Sequence, residues 1–74
     1  MFHSILNKDE KMRNTIKTQR AKKRISQAKL AKSNNVSRQS IYLIENGLIM
    51  PNLNISLKIA RFFNLSIEEL FQND

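Results

Sequence analysis

Apolar positions in this chain recur at helical rather than strand spacing, in short runs separated by polar breaks. The clearest stretch is Ser26 to Gly47, SQAKLAKSNNVSRQSIYLIENG, where two such runs flank Asn34-Asn35. The first spans Gln27 to about Ser33 and offers a small apolar face of Ala28, Leu30 and Ala31. Ser26 is placed as its N-cap, where a hydroxyl accepts a free N–H of the first turn. Lys29 stands where a capping box has Glu or Gln, so this cap is a plain one. Asn35 tolerates the left-handed conformation and serves as the stop. Val36 opens the second run and Ser37 caps it. Ile41 and Ile44, three apart, share one helical face, and Gly47 ends the run by taking up a positive φ. Two short helices joined by a tight polar turn read as a helix-turn-helix.

The flanking pattern predicts three more helices. Met12 to Lys23 reads as the first, with a thin apolar face of Ile16, Ala21 and Met12. After Pro51, Asn52 is the N-cap of a fourth helix whose buried face is Leu53, Leu57, Ile59, Ala60 and Phe63, with Ile55 and Phe62 further round and Asn64 at its end. Ser66 caps the last helix and Glu69, three residues on, completes a capping box. Glu68 and Glu69 also suit the positive end of the helix dipole. Ile67, Leu70 and Phe71 form its apolar side. Leu48-Ile49-Met50 is an apolar run in a predicted loop, suited to packing against the body or a partner chain. The expected architecture is all-α, a compact five-helix domain over residues 12–74, preceded by an extension or arm at 1–11. In that extension Phe2, Ile5 and Leu6 form either an arm or a short strand that docks on a partner.

Length and charge sharpen this picture. Seventy-four residues make one small domain with a marginal core, for which dimerisation is a common remedy. The chain has no Cys, hence neither disulfide nor thiolate metal site, which fits a reducing cytoplasm. No apolar run approaches the roughly 20 residues of a membrane span, and the N-terminus lacks a basic-then-apolar leader pattern. The net charge of +7 is unevenly spread. Residues 12–38 carry Arg13, Lys17, Arg20, Lys22, Lys23, Arg24, Lys29, Lys32 and Arg38 with no acid, whereas residues 39–74 hold two cations against four acids. Such a run on its own is a solvated helix surface. Where it coincides with a helix-turn-helix it is the footprint of a polyanion partner.

The ordered series Ile25-Ser26-Gln27, Leu30-Ala31, Val36-Ser37-Arg38-Gln39, Ile41, Ile44-Glu45-Asn46-Gly47, Pro51, Leu53, Leu57-Lys58-Ile59-Ala60, Leu65-Ser66 and Glu68-Glu69-Leu70-Phe71 resembles the Cro and lambda-repressor type of helix-turn-helix, also called XRE-like. The resemblance runs from about Met12 to Phe71. It implies a phage-repressor-like fold and a transcriptional regulator, and it implies an ion pair between Arg20 and Glu45 joining the first and third helices. It also implies phosphate contacts by Gln27, which can brace Arg38, and by Asn46. Met12-Arg13-Asn14 resembles the usual start of such short regulators, which would make Met12 the natural first residue. The chain departs from the family pattern at several positions. Arg24 and Asn64 stand where Gly is frequent, Gln19 and Asn34 where Leu is frequent, and Leu48 and Ile49 where Lys or Arg is frequent. A buried Asn34 needs hydrogen-bond partners, and otherwise it faces water.

A helix from Ser37 to Asn46 fits the major groove of B-DNA, with its N-terminal residues at base edges and the preceding helix across the phosphates. Arg38 can donate two hydrogen bonds to guanine and Gln39 can pair with adenine. Ser37 and Ser40 are placed for short hydroxyl contacts, Tyr42 for a phosphate or a base edge, and Leu43 for a thymine methyl. Lys17, Lys22, Lys23, Lys29 and Lys32 are electrostatic candidates, since phosphate contacts position while base contacts specify. The plain alternative for Arg38 and Tyr42 is a solvated surface residue, and the contact reading is preferred for both. No cofactor is implied. His3 is isolated, without ligands at metal spacing, so no metal site is expected. With no Cys nucleophile, no His–carboxylate cluster and no Gly-rich phosphate loop, an enzyme is not expected. The reading is a cytoplasmic regulator of double-stranded DNA, most simply a repressor and homodimer on a near-palindromic operator. An antitoxin, a restriction–modification controller, or a protein-interaction adaptor working through Leu48 to Met50 are the alternatives within the same fold.

Overall fold

In the computed structural model, which describes residues 2–5 and 13–72, the chain forms five helices and a two-stranded antiparallel ribbon. The order is β1 (Phe2–Ile5), α1 (Ile16–Lys23), α2 (Gln27–Ser33), α3 (Arg38–Glu45), β2 (Ile49–Pro51), α4 (Leu53–Phe62) and α5 (Ile67–Leu70). The interior is built from Ile16 of α1, Leu30 of α2, Ile41 and Ile44 of α3, Ile59 of α4 and Leu70 of α5, all fully buried. Each helix thus contributes at least one side chain to a single cluster, which Ile49, Ile55, Ala60 and Phe63 extend. Phe62 and Phe63 meet edge to face at the end of α4, with centroids 5.1 Å apart.

The caps follow the sequence closely. Ser26, Ser37, Asn52 and Ser66 each accept a backbone N–H three residues on, at 3.0, 3.0, 2.9 and 3.0 Å. Glu69 returns the bond by accepting the Ser66 N–H at 2.9 Å, which closes the capping box. That N–H first, and the Ser66 hydroxyl second, hold the Glu69 carboxyl below its ordinary value of 4.5. A lowered folded value means stability that is present above the unfolded value and lost as pH falls through the folded one. The stability gap between the protein and Glu69→Gln is therefore expected at pH 6 and should be smaller at pH 3, as the carboxyl protonates through its lowered folded value. Denaturant unfolding at both values measures it, and an unchanged gap would discard the ionised cap.

Several expectations need correction. α1 begins at Ile16 instead of Met12, and Met12 lies outside the described residues. The preceding backbone is committed to tertiary bonds. Asn14 accepts the Ile16 N–H at 3.0 Å through Oδ1 and donates through Nδ2 to the Ile44 carbonyl at 2.9 Å. Thr15 N–H donates to the Leu70 carbonyl at 2.7 Å. Ala21 is exposed, so Ile16 alone anchors α1 in the core. On α4 the buried face is Ile55, Ser56, Ile59 and Ala60, continued by Phe63, while Leu53 is 65% exposed and Leu57 half-buried. Leu53 and Ile55 are two positions apart, about 200° around the helix, so both cannot face the core.

The run after α3 is a strand, not a loop. β2 pairs with β1 in the register Phe2↔Pro51, Ser4↔Met50 and Ile5↔Ile49, with an irregularity between Phe2 and Ser4. The strand at the N-terminus therefore docks on its own chain. Ile49 is buried and Leu48 and Met50 are half-buried, so this run serves the body of the domain and is not an open adaptor loop. Among the described residues no helix is long and apolar enough to cross a membrane. The parts of the 1–11 and 12–74 division that concern Leu6 to Met12 fall outside the described residues, as does any role for Asp74.

Three helix ends are closed by non-glycine residues in the left-handed region: Arg24 after α1, Asn35 after α2 and Asn64 after α4. Asn carries this conformation readily, whereas Arg has a Cβ that crowds the carbonyl. Arg24 at φ 55°, ψ 43° is the strained one, and it occupies a position where Gly relieves the crowding. Arg24→Gly is expected to stabilise the fold by about 0.5–1 kcal/mol, since the relieved strain exceeds the added freedom of the unfolded chain. A thermal midpoint no higher than that of the unmodified protein would show the turn to be unstrained.

Candidate nucleic-acid interface

The helix-turn-helix is held by its turn. Asn34 and Asn35 cap α2, with Asn34 N–H on the Leu30 and Ala31 carbonyls and Asn35 N–H on that of Lys32. Val36 N–H then bonds the Ala31 carbonyl at 3.0 Å. The positive φ of Asn35 (56°) turns the chain so that Ser37 can start α3 at once. Asn34 is 5% exposed, and its Nδ2 donates to the Leu30 carbonyl at 2.9 Å. The position is buried, and its polarity is partly satisfied within α2.

α3 has two distinct sides. Ile41 and Ile44 lock one side into the core. Arg38, Gln39 and Tyr42 are exposed on the other, Tyr42 at 50%. Arg38, Tyr42 and Asn46 recur every four residues, so they line up along one face. Asn46 is exposed, with Nδ2 donating to the Tyr42 carbonyl at 2.8 Å, which satisfies a free end of the helix. Two of the predicted contact residues turn away from this face. Ser40 is 8% exposed, with its hydroxyl 2.7 Å from that of Ser37. Leu43 packs, half-buried, against the core. Ser40 follows Ile44 inward because residues four apart share a helical face, whereas Leu43 reaches the core from the flank of α3. Ser37 is exposed, and its hydroxyl is engaged in the cap.

Arg20 and Glu45 join α1 to the end of α3. Nε to Oε2 and Nη2 to Oε1 are both 2.8 Å, a two-pronged pair, and Nη1 donates to the Ile25 carbonyl at 2.9 Å. The bond to Glu45 holds the Arg20 guanidinium above its ordinary pKa. Side-chain exposure is 16% for Arg20 and 5% for Glu45. Gln27 Nε2 also reaches Glu45 Oε1, at 3.4 Å. The amide of Gln27 thus points to the ion pair, and the structure records no bond from it to Arg38. The result is a rigid link between the start of α2, α1 and the C-terminal end of α3. Sequence reasoning had no cue for the part played by Ile25, because a backbone carbonyl leaves no mark in residue types.

The cations divide between two functions. Lys22 and Lys23 occupy the last turn of α1, where positive charge suits the helix dipole, and Lys32 does the same on α2. Lys17, Lys22, Lys23, Lys29 and Lys32 are all exposed, free to meet a polyanion. Among the described residues no group of three or more His, Cys, Asp or Glu is placed to hold a metal.

Against known proteins, a family model described as helix-turn-helix matches residues 16–70. An HTH-type transcriptional regulator of Methanocaldococcus jannaschii is 45% identical over 60 residues, which covers 81% of this chain and 91% of that protein. A regulator of the same type from Archaeoglobus fulgidus is 45% identical over 60 residues, covering 81% and 84%. One from Bacillus subtilis is 38% identical over 60 residues, covering 81% and 91%. Among solved structures, the SOS-response transcriptional repressor LexA from Eubacterium rectale is similar with a TM-score of 0.74 and 25% identity. That match covers 81% of this chain and 64% of the other, so this chain spans less than two thirds of the solved structure.

Proposed function

The chain belongs to the XRE-type helix-turn-helix family, and we propose that it is a sequence-specific transcriptional regulator of double-stranded DNA in which α3 reads the major groove. The observation that carries this reading is the two-sidedness of α3. Ile41 and Ile44 immobilise it, and Arg38, Gln39 and Tyr42 stand out on the opposite side with no core role. A presented helix of this kind supplies base contacts from its first turn, while α2 lies across the backbone. Gln27, Asn46, Lys17, Lys22, Lys23 and Lys29 then act as phosphate contacts, which set register and not sequence. The protein works as a homodimer on a near-palindromic operator, its two α3 helices about 34 Å apart on one face of the duplex. Occupying a promoter excludes polymerase sterically, so repression is its mode, in the cytoplasmic compartment that holds the DNA.

Fluorescence anisotropy against the gene's own upstream DNA and against random duplex, across a salt series, tests this. The expected result is tighter binding to the upstream DNA, with log affinity falling linearly in log salt by about 0.9 per neutralised phosphate. Equal, weak binding to both duplexes would reject sequence-specific recognition of that upstream region.

A further inference from the structure

Arg24 holds the left-handed conformation, φ 55° and ψ 43°, in the turn between α1 and α2. Its Cβ makes that conformation costly. The surrounding bonds impose it nonetheless. The Arg24 N–H is bonded to the Ala21 carbonyl at 3.2 Å. The next residue, Ile25, is held at both ends by Arg20. Its N–H bonds the Arg20 carbonyl at 3.2 Å, and its own carbonyl accepts Arg20 Nη1 at 2.9 Å. The turn is therefore fixed, and a residue without a Cβ would occupy it with less strain.

The side chain does nothing for the fold in exchange. Arg24 is exposed, and its guanidinium forms no hydrogen bond or ion pair among the described residues. The helix dipole does not account for it either, because Arg20, Lys22 and Lys23 already place positive charge in the last turn of α1. Backbone strain of this kind, unsupported by any contact of the side chain, points to a role outside the fold. The surroundings say which. Arg20, which fixes Ile25, also grips Glu45 at the end of α3, at 2.8 Å through Nε and Nη2. Gln27 Nε2 reaches the same carboxylate at 3.4 Å, and Asn46 follows Glu45 in the chain. Arg24 thus adjoins, through Ile25, the cluster to which Gln27 and Asn46 belong. A free guanidinium suits a phosphate, which it can meet with two parallel bonds, and with the backbone already fixed less remains to be ordered on binding.

We propose that Arg24 is a further phosphate contact of the DNA interface, a side chain that serves the DNA from a backbone position strained to hold it. The proposal rests on the reading of the chain as a DNA-binding regulator, and Arg24 is not among the contact residues given there. Its consequence is that one change moves stability and binding in opposite directions.

Anisotropy titrations of the full chain with a random duplex, across a salt series, test this, since a phosphate contact needs no operator. Arg24→Gly should raise the thermal midpoint yet weaken duplex binding, and lower the slope of log affinity against log salt by about 0.9 for each protomer bound. Arg24→Asn also takes the left-handed conformation but carries no charge, so it should lose the same slope, whereas Arg24→Lys should keep it. Lys58→Gln removes an exposed cation of α4 and should leave the slope where it was. A slope unchanged in both the Gly and Asn variants would overturn the contact and leave the DNA reading standing. So would a slope lowered by Gly alone, which would be an effect of backbone freedom, or an equal fall in Lys58→Gln, which would be an effect of net charge. Duplex affinity that ignores salt in the unmodified protein would overturn the DNA reading and this contact with it.

Discussion

Glu45→Ala is expected to destabilise the fold by about 3 kcal/mol, at the lower end of the range for breaking a buried ion pair because Arg20 keeps an edge in solvent. For a domain of this size that lowers the thermal midpoint by more than about 12 °C. The loss comes from what remains. Arg20 would keep its bond to the Ile25 carbonyl, but Nε and Nη2 would lose their partner on a side chain that is only 16% exposed. Arg20→Ala should be worse. It strands a carboxylate that is 5% exposed, with only the long Gln27 contact left, and it frees the Ile25 carbonyl as well. Glu68→Ala, on an exposed residue, should fall within about 0.5 kcal/mol of the unmodified protein. The double change Arg20→Met with Glu45→Leu should recover at least half of the single-variant loss, because apolar replacement removes both charges together. If Glu45→Ala melts with Glu68→Ala, the pair is not a structural link.

Arg38→Ala is expected to leave stability unchanged and to weaken operator binding by about 1–3 kcal/mol, roughly 5- to 150-fold. The two halves of this expectation rest on the same observation. Arg38 is the first residue of α3, exposed, and forms no hydrogen bond or ion pair among the described residues. Nothing in the fold needs it, so its loss should register only on the partner. A two-pronged contact with guanine would show as relaxed preference at one base pair, with random duplex much less affected. Equal weakening on operator and random duplex would make Arg38 a phosphate contact, and the sequence reading would then have to come from Gln39 and Tyr42. A drop in the melting temperature would place Arg38 in the fold after all.

The two experiments probe opposite ends of one helix. Glu45, in the last turn of α3, is clamped by α1, and Arg38, in its first turn, is left free. A reading helix needs both properties, because a base contact is specific only when the backbone that carries it is held in one place. The side chains that turn inward, Ser40 and Leu43, belong to this holding function, which is why they add little to the exposed face.

Much of this was determined by the sequence alone, wherever a feature depends on residues close together. Ser26, Ser37, Asn52 and Ser66 are caps because their oxygens reach an N–H three residues on, whatever the rest of the chain does. Asn35, Asn64 and Gly47 stop helices for an equally local reason. The inward pair Ile41 and Ile44 follows from spacing, and spacing also exposes Arg38 and Tyr42. The tertiary structure decided what depends on distant partners. The start of α1 was set by Asn14 and Thr15 bonding to Ile44 and Leu70, residues 30 and 55 positions away. The rotation of α4, with Ile55 in and Leu53 out, could not be read from a helix that carries apolar residues on several sides. Nor could the pairing of Phe2–Ile5 with Ile49–Pro51, since strand partners are chosen across the fold and each segment alone is too short to show a period.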